Sequence, residues 1–184
     1  MNRVVNILFI LIISMLVSGC ISAKLNPKQQ SYIDNQEVLY TQVGMWAYKS
    51  IVYGTNYSTG VFIPINTKVT ISKVTTSAII MNYDGMDISI KNTKHTQVDI
   101  TTLLDRTLSL SKVNISNFSK KIKSNILNGR LVVGMSKEAS ILARGYPPAH
   151  STLSLKSNTW RYWNSRWNTT IYEFSNNKII HIKK

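Results

Sequence analysis

The apolar positions of this chain change period four times, and each change predicts a different kind of structure. Val4 to Val17 is apolar except at Asn6 and Ser14, with Arg3 just before it. Such a run falls short of the about 20 apolar residues that span a bilayer, and it has the form of the hydrophobic region of a secretory signal. Residues 21–37 are polar, centred on Asn26-Pro27-Lys28-Gln29-Gln30, and read as a flexible tether. From Val38 to about Ile90 the pattern is that of β-structure. The run Val61-Phe62-Ile63-Pro64-Ile65 contains a proline, which predicts an edge position or a bend. Lys68-Val69-Thr70-Ile71-Ser72 alternates polar and apolar positions. Ala78–Tyr83 and Met86–Ile90 flank Asp84-Gly85, a hairpin signal because both turn residues accept positive φ. Short strands at this spacing predict a small barrel or curled sheet.

The period then lengthens. Leu103, Leu104 and Leu108 share one face of a helix expected over 99–110, and polar residues 111–118 connect it to the second half. Phe118, Ile122 and Ile126 recur every fourth residue, with Asn128-Gly129 as the stop. Ser136 is a good N-cap for the next helix, Glu138 suits its first turn, and Ile141 and Leu142 supply its apolar face. Arg144 closes it, Gly145 terminates it, and Pro147-Pro148 prevents continuation. Three strands are expected at Thr159–Asn164, Thr169–Phe174 and Lys178–Ile182, the last two joined through Asn176-Asn177. The fold class is therefore α+β. A signal segment (1–19) and a tether (20–37) precede a β-rich domain over 38–112, and a helix, helix, strand, strand, strand domain occupies 113–184.

Charge adds a partner class. The 184 residues carry 22 basic and 8 acidic side chains, a net charge of +14. A chain starting at Cys20 loses only Arg3 from that balance. Anionic lipid or lipopolysaccharide phosphates and acidic proteins are natural partners for such a surface; after export, nucleic acid is the poorest, and no nucleic-acid partner is expected. The lysines are scattered, clustering only at Lys120-Lys121-Ile122-Lys123 and Lys183-Lys184, so a solvated basic surface is an equal reading. Cys20 is the single cysteine, which rules out an intrachain disulfide.

Resemblances to known families sharpen the expectation. Val17-Ser18-Gly19-Cys20 resembles the bacterial lipobox, cut before its cysteine. That resemblance implies lipidation at Cys20 by two or three acyl chains, enough for stable anchoring where one is not. An ordinary secretory signal and an uncleaved anchor are the alternatives. Ile21, where aspartate would signal retention, implies the outer membrane's periplasmic face by resemblance to Gram-negative sorting. Further on, Gly134-Met135-Ser136-Lys137-Glu138-Ala139, Leu142-Ala143-Arg144-Gly145-Tyr146-Pro147, Trp160-Arg161-Tyr162-Trp163 and Tyr172–Ile179 together resemble the SmpA/OmlA (BamE-like) lipoproteins, over about residues 116–184. This implies a BamE-like ααβββ C-terminal domain and a non-catalytic role in outer-membrane assembly or maintenance. Pro147-Pro148-Ala149-His150 and the Trp163–Trp167 stretch depart from the pattern, and the β-rich segment has no counterpart in the short family member. In that segment, Asn66-Thr67 before Lys68-Val69-Thr70-Ile71 resembles the strand entry of small SH3-like barrels.

Candidate chemistry is sparse. No Gly-x-Ser-x-Gly elbow, His-Glu-x-x-His or phosphate-cradling glycine loop occurs, so no catalytic residue, metal or cofactor is assigned. His150 is the one histidine in a motif-like setting, without a base or nucleophile nearby in sequence. The aromatic residues Trp160, Tyr162, Trp163, Trp167 and Tyr172 fall within thirteen positions. Strand alternation places Trp160 and Tyr162 on one face and Trp163 on the other. Trp163, Arg161 and Arg166 are the candidate interaction residues, against the reading that these faces only pack. The expected partners are the membrane through the N-terminal lipid and an envelope protein or anionic lipid. The competing function is an envelope enzyme or cell-wall ligand module with its site in the β-rich half.

Overall fold

The computed structural model describes residues 22–184. The signal segment 1–19 and the lipidation candidate Cys20 lie outside the described residues. Within them the chain is mixed α+β and mostly sheet. Its helices are α1 (Pro27–Asp34), α2 (Ile100–Thr107), α3 (Lys120–Leu127) and α4 (Lys137–Arg144). Its first strands are β1 (Leu39–Thr41), β2 (Met45–Ala47), β3 (Ile51–Tyr53), β4 (Val61–Ile63), β5 (Lys68–Val74), β6 (Ala78–Tyr83), β7 (Met86–Lys91) and β8 (Leu108–Ser109). The last three are β9 (Thr159–Trp163), β10 (Thr169–Ser175) and β11 (Lys178–Lys183).

The first half is a six-stranded sheet of order β3-β7-β6-β5-β1-β8, with β2 and β4 as a separate two-stranded ribbon. Pairing is antiparallel except between β3 and β7. Asp84 and Gly85 turn β6 into β7 with φ of 51° and 77°, as the hairpin signal requires. β4 stops at Ile63, immediately before Pro64, which cannot donate to a ladder. The helix expected over 99–110 ends at Thr107, because Leu108 turns extended and pairs with Thr41 in β8. Leu103 and Leu104 are buried as the apolar face demands, and Leu108 is buried as a strand residue.

The tether reading of residues 21–37 does not hold for the described part. Asn26 caps α1, accepting from the Gln29 backbone N–H at 2.9 Å, while the Gln29 side chain reaches back to the Asn26 N–H. Pro27 occupies the first turn, where its missing N–H costs nothing. Asn26-Pro27-x-Gln29 is thus a capping box. Gln29 also anchors the helix, donating from Nε2 to Asp105 Oδ1 at 2.9 Å and to the Thr101 carbonyl at 3.3 Å, and Tyr32 enters the core.

The second half follows the expected order. Ser119 caps α3, and Asn128 with Gly129, at φ 65°, ends it. Ser136 caps α4 through the Ala139 N–H, and Gly145 closes it. The antiparallel sheet β11-β10-β9 packs one face on these helices. Its hairpin turn places Asn176 and Asn177 at φ 46° and 62°. Trp160, Tyr162, Tyr172 and Phe174 fill the inner face around Ile126, Met135 and Ala139.

Each half has its own apolar core, and each also reaches into the other. Ile65 belongs to the second core, while Ile141 and Tyr146 pack against the first. The Gly44 N–H donates to the Leu142 carbonyl at 2.9 Å, and Asn66 and Val113 exchange bonds of 2.7 and 3.0 Å. The seam between the halves is therefore packed and hydrogen-bonded.

Candidate functional site

The seam organises around Trp46. In the β2–β4 ribbon, Met45 and Ala47 face the first core. Trp46 therefore points the other way, opposite Phe62, with ring centroids 4.6 Å apart. The backbone of Gly129, at the end of α3, lies against both rings. A Cβ there would stand 2.6 Å from Trp46 Cζ2 and 2.6 Å from Phe62 Cε2. On α4, the Arg144 guanidinium lies 5.4 Å from the Trp46 ring centroid and 5.0 Å from that of Tyr162.

Arg144 is buried, with only 5% exposure, and no carboxylate pairs with it; the ion pair found among the described residues is Lys183–Glu173. Its charge is held instead by the two ring faces and by donation to Asn164 Oδ1 and the Trp163 carbonyl, each at 3.3 Å. The Tyr162 hydroxyl donates to the Gly145 carbonyl at 2.8 Å. Burial pushes that hydroxyl well above the ordinary tyrosine range, the neighbouring Arg144 charge opposing. It stays a neutral donor.

Asn164 opens the β9–β10 loop and ties it to the first half. Its carbonyl accepts from Thr59 Oγ1 at 2.7 Å, and its amide donates to Asn168 Oδ1 and Thr170 Oγ1, both at 2.9 Å. The loop so held places Ser165 and Arg166 on a cleft of about 280 Å³ whose other wall is Trp46, Tyr48, Ile51, Tyr53, Tyr57 and Thr59. Tyr53 and Tyr57 lie 5.5 Å apart by ring centroid, and Tyr48 is half exposed. Beside the cleft, Trp167 is 85% exposed, and the Arg166 guanidinium lies 4.9 Å from its ring. A concave, aromatic surface with a few convergent polar groups and one exposed cation has the composition of a binding site.

The three candidate residues are separated. Arg166 lines the cleft. Arg161 lies exposed on the outer face of β9, paired across to Ile171. Trp163 is only part-exposed, 5.8 Å from the His150 ring, and its Nε1 is buried without a partner. Trp167 is the aromatic that stands out into solvent. Trp160 and Tyr162 are fully buried, as alternation along the strand required.

His150 meets His95: ring centroids are 4.8 Å apart, and Nδ1 lies 3.3 Å from the His95 carbonyl. Among the described residues no hydroxyl or thiol hydrogen-bonds to these two rings, and no group of three His, Cys, Asp or Glu side chains could hold a metal. A smaller cavity of about 30 Å³ lies between Asn56, Thr96, Arg106 and Gly145. The Asn56 amide is buried there with neither polar atom partnered by the protein, and the space matches about one water molecule.

Four cleft aromatics, Trp46, Tyr48, Tyr53 and Tyr57, were not singled out from the sequence. Their signal was four rings within twelve positions of a segment otherwise read only for β-periodicity. Comparison with known proteins finds no matching family model, no matching curated protein and no matching solved structure.

Proposed function

We propose that this protein is a lipid-anchored envelope protein that works by contact, holding a partner through the aromatic cleft at the seam of its two halves. The observation carrying this reading is the joining of Arg166 to Trp46, Tyr48, Tyr53 and Tyr57 around about 280 Å³, on a chain of net charge +14. Aromatic rings with an arginine beside them are the side chains that most often anchor interfaces. The lipobox-like string ending at Cys20 supports attachment to a membrane, and Ile21 supports the periplasmic face of the outer membrane. A BamE-like role in outer-membrane assembly or maintenance is supported by the residues 134–139, 142–147 and 160–163 and by the α3-α4-β9-β10-β11 order. The SH3-like reading of the first half has less behind it, since β3 pairs parallel to β7 and the strand order runs linearly.

The test is a photo-crosslinking residue at Tyr48 in intact cells, with and without Arg166→Glu. A crosslink to one integral envelope protein, lost in R166E while the melting temperature holds, supports contact through the cleft. Loss of neither crosslink nor growth phenotype on changing Arg166 would reject it. The second reading, a cell-wall ligand module, is favoured by the same rings flanked by the Thr59 and Ser165 hydroxyls. Co-sedimentation with purified peptidoglycan, abolished by Tyr48→Ala, would select it.

A further inference from the structure

The fold begins almost at the proposed anchor. Ser22 forms an antiparallel bridge with Thr75, and the Ala23 N–H donates to the Val74 carbonyl at 3.3 Å. Only Ile21 separates Cys20 from Ser22, and a fully extended chain covers at most about 3.6 Å per residue. Ser22 therefore lies within roughly 7 Å of Cys20 along the chain, and the β5–β6 turn, Thr75–Ser77, begins beside Ser22 across the bridge. A lipid on Cys20 would keep this edge of the sheet close to the bilayer.

The same edge is basic. Ser22 bridges Thr75 antiparallel, Ala23 and Val74 turn to the core, and the next residue along each segment, Lys24 and Lys73, is exposed. Lys73 pairs across to Ile80, and Ala78, two residues before it on β6, pairs with Lys91. Lys24, Lys73 and Lys91 thus share the solvent face of the sheet at the end nearest Cys20. None of the three has a carboxylate partner. Like charges on facing strands repel, and an anion between them relieves that repulsion. The opposite end of the β6–β7 hairpin carries Asp84 and Asp87, with Lys68 and Lys112 the basic residues on that side of the sheet. Along the strands the charge is uniformly positive at the end toward the anchor and mixed at the other end.

We propose that this edge, built from Ser22–Lys24 and the β5–β6 turn, lies against the lipid surface, with Lys24, Lys73 and Lys91 receiving headgroup phosphates. The inference rests on the lipid anchor proposed above. Exposed lysines within a Debye length of an anionic surface are attracted to it, and more so at low salt. The acidic hairpin end points away from the membrane.

The experiment uses the full acylated chain in vesicles of phosphatidylethanolamine with one quarter phosphatidylglycerol. Cys20 is consumed by its lipid, so Thr76→Cys or Met86→Cys supplies one thiol for a fluorophore; both positions are exposed and lie at opposite ends of β6–β7. Quenching by a nitroxide on the lipid headgroup reads the distance of each label from the surface. The label at position 76 is expected to be quenched roughly threefold more than that at 86, with the contrast narrowing as salt rises. The K24Q/K73Q/K91Q triple variant should lose most of the contrast, whereas charge removal at Lys120, Lys121 and Lys123 should not. Equal quenching at both positions, or more at 86, with the acyl mass on Cys20 present, overturns the face and leaves the anchor standing. An unchanged contrast in the triple variant overturns the part given to the lysines. An intact mass without acyl chains overturns the anchor and the face with it.

Discussion

Replacing Gly129 by alanine should be among the most damaging single-methyl additions to this protein, and its cost divides into two parts. Gly129 sits at φ 65°, where an L side chain crowds its own backbone; that conformation costs roughly 1–2 kcal/mol. The added Cβ would also meet Trp46 Cζ2 and Phe62 Cε2, both at 2.6 Å. Neither ring can step aside freely: they pack on each other at 4.6 Å, and Arg144 lies over Trp46. Forcing an extra carbon into such a contact costs typically about 1–3 kcal/mol. Gly134 isolates the first part, because its φ is 91° and nothing lies within 4 Å of the Cβ that alanine would bring. Urea unfolding of wild type, G129A and G134A should therefore give a loss of roughly 2–5 kcal/mol for G129A and roughly 1–2 kcal/mol for G134A. The excess should appear in the melting temperature at roughly 2–4 °C per kcal/mol. If the two variants differ by less than about 0.5 kcal/mol, Trp46 and Phe62 are not pinned at the seam, and the rigid wall assigned to the cleft fails with them.

Asp99 caps α2 by accepting from Thr101 Oγ1 at 2.6 Å and from the Thr102 N–H at 2.7 Å, and these bonds hold its carboxyl down to about 2. A carboxyl lowered on folding stabilises above its unfolded pKa and loses that contribution as pH falls through the folded value. Melting temperature should thus decline from pH about 4 toward 2 more steeply in wild type than in Asp99→Asn, which keeps a capping oxygen without the titration; parallel declines would refute the assignment. Tyr162→Phe deletes the donor to the buried Gly145 carbonyl and should cost about 1–3 kcal/mol in chemical unfolding. Ultraviolet titration should find one tyrosine that stays protonated wherever the fold survives, a signal absent from Y162F.

The elements most legible in the sequence are those fixed by contacts close along the chain. Ser136 and Gly145 bracket α4, Asp84-Gly85 turns a hairpin, and alternation buries Trp160 and Tyr162, because each signal acts over a few residues. Residues 26–29 carried an equally local signal, the capping box with proline in the first turn, and their polar composition obscured it. Gln29 explains why composition misleads there: it is buried not as an apolar residue but as a donor to Asp105 and the Thr101 carbonyl, some seventy positions away. Leu108 was legible as buried but not as β, since its partner Thr41 lies far back in the chain. Periodicity detects a face, and only tertiary pairing decides which element carries it.

The site was less legible for the same reason, and Arg144 shows it most clearly. In sequence it is a cation in the last turn of a helix, a role that surface lysines fill equally well. In the structure it is a buried charge with no acid beside it, which is costly unless other groups hold it. Two ring faces and two oxygens, from β2, β9 and the β9–β10 loop, do so. Arg144 therefore joins the ribbon of the first half to the sheet of the second, and the bond to Asn164 places the loop that carries Arg166. Lysine, with a compact and strongly hydrated ammonium, could not reach both oxygens with one planar group while lying near both the Trp46 and Tyr162 rings. Arg144 is one of the contacts that join the two halves, and with Trp46 as a shared wall the cleft takes its lining from segments more than a hundred positions apart. A pattern read along either half alone could find the cation or the rings, but not their meeting.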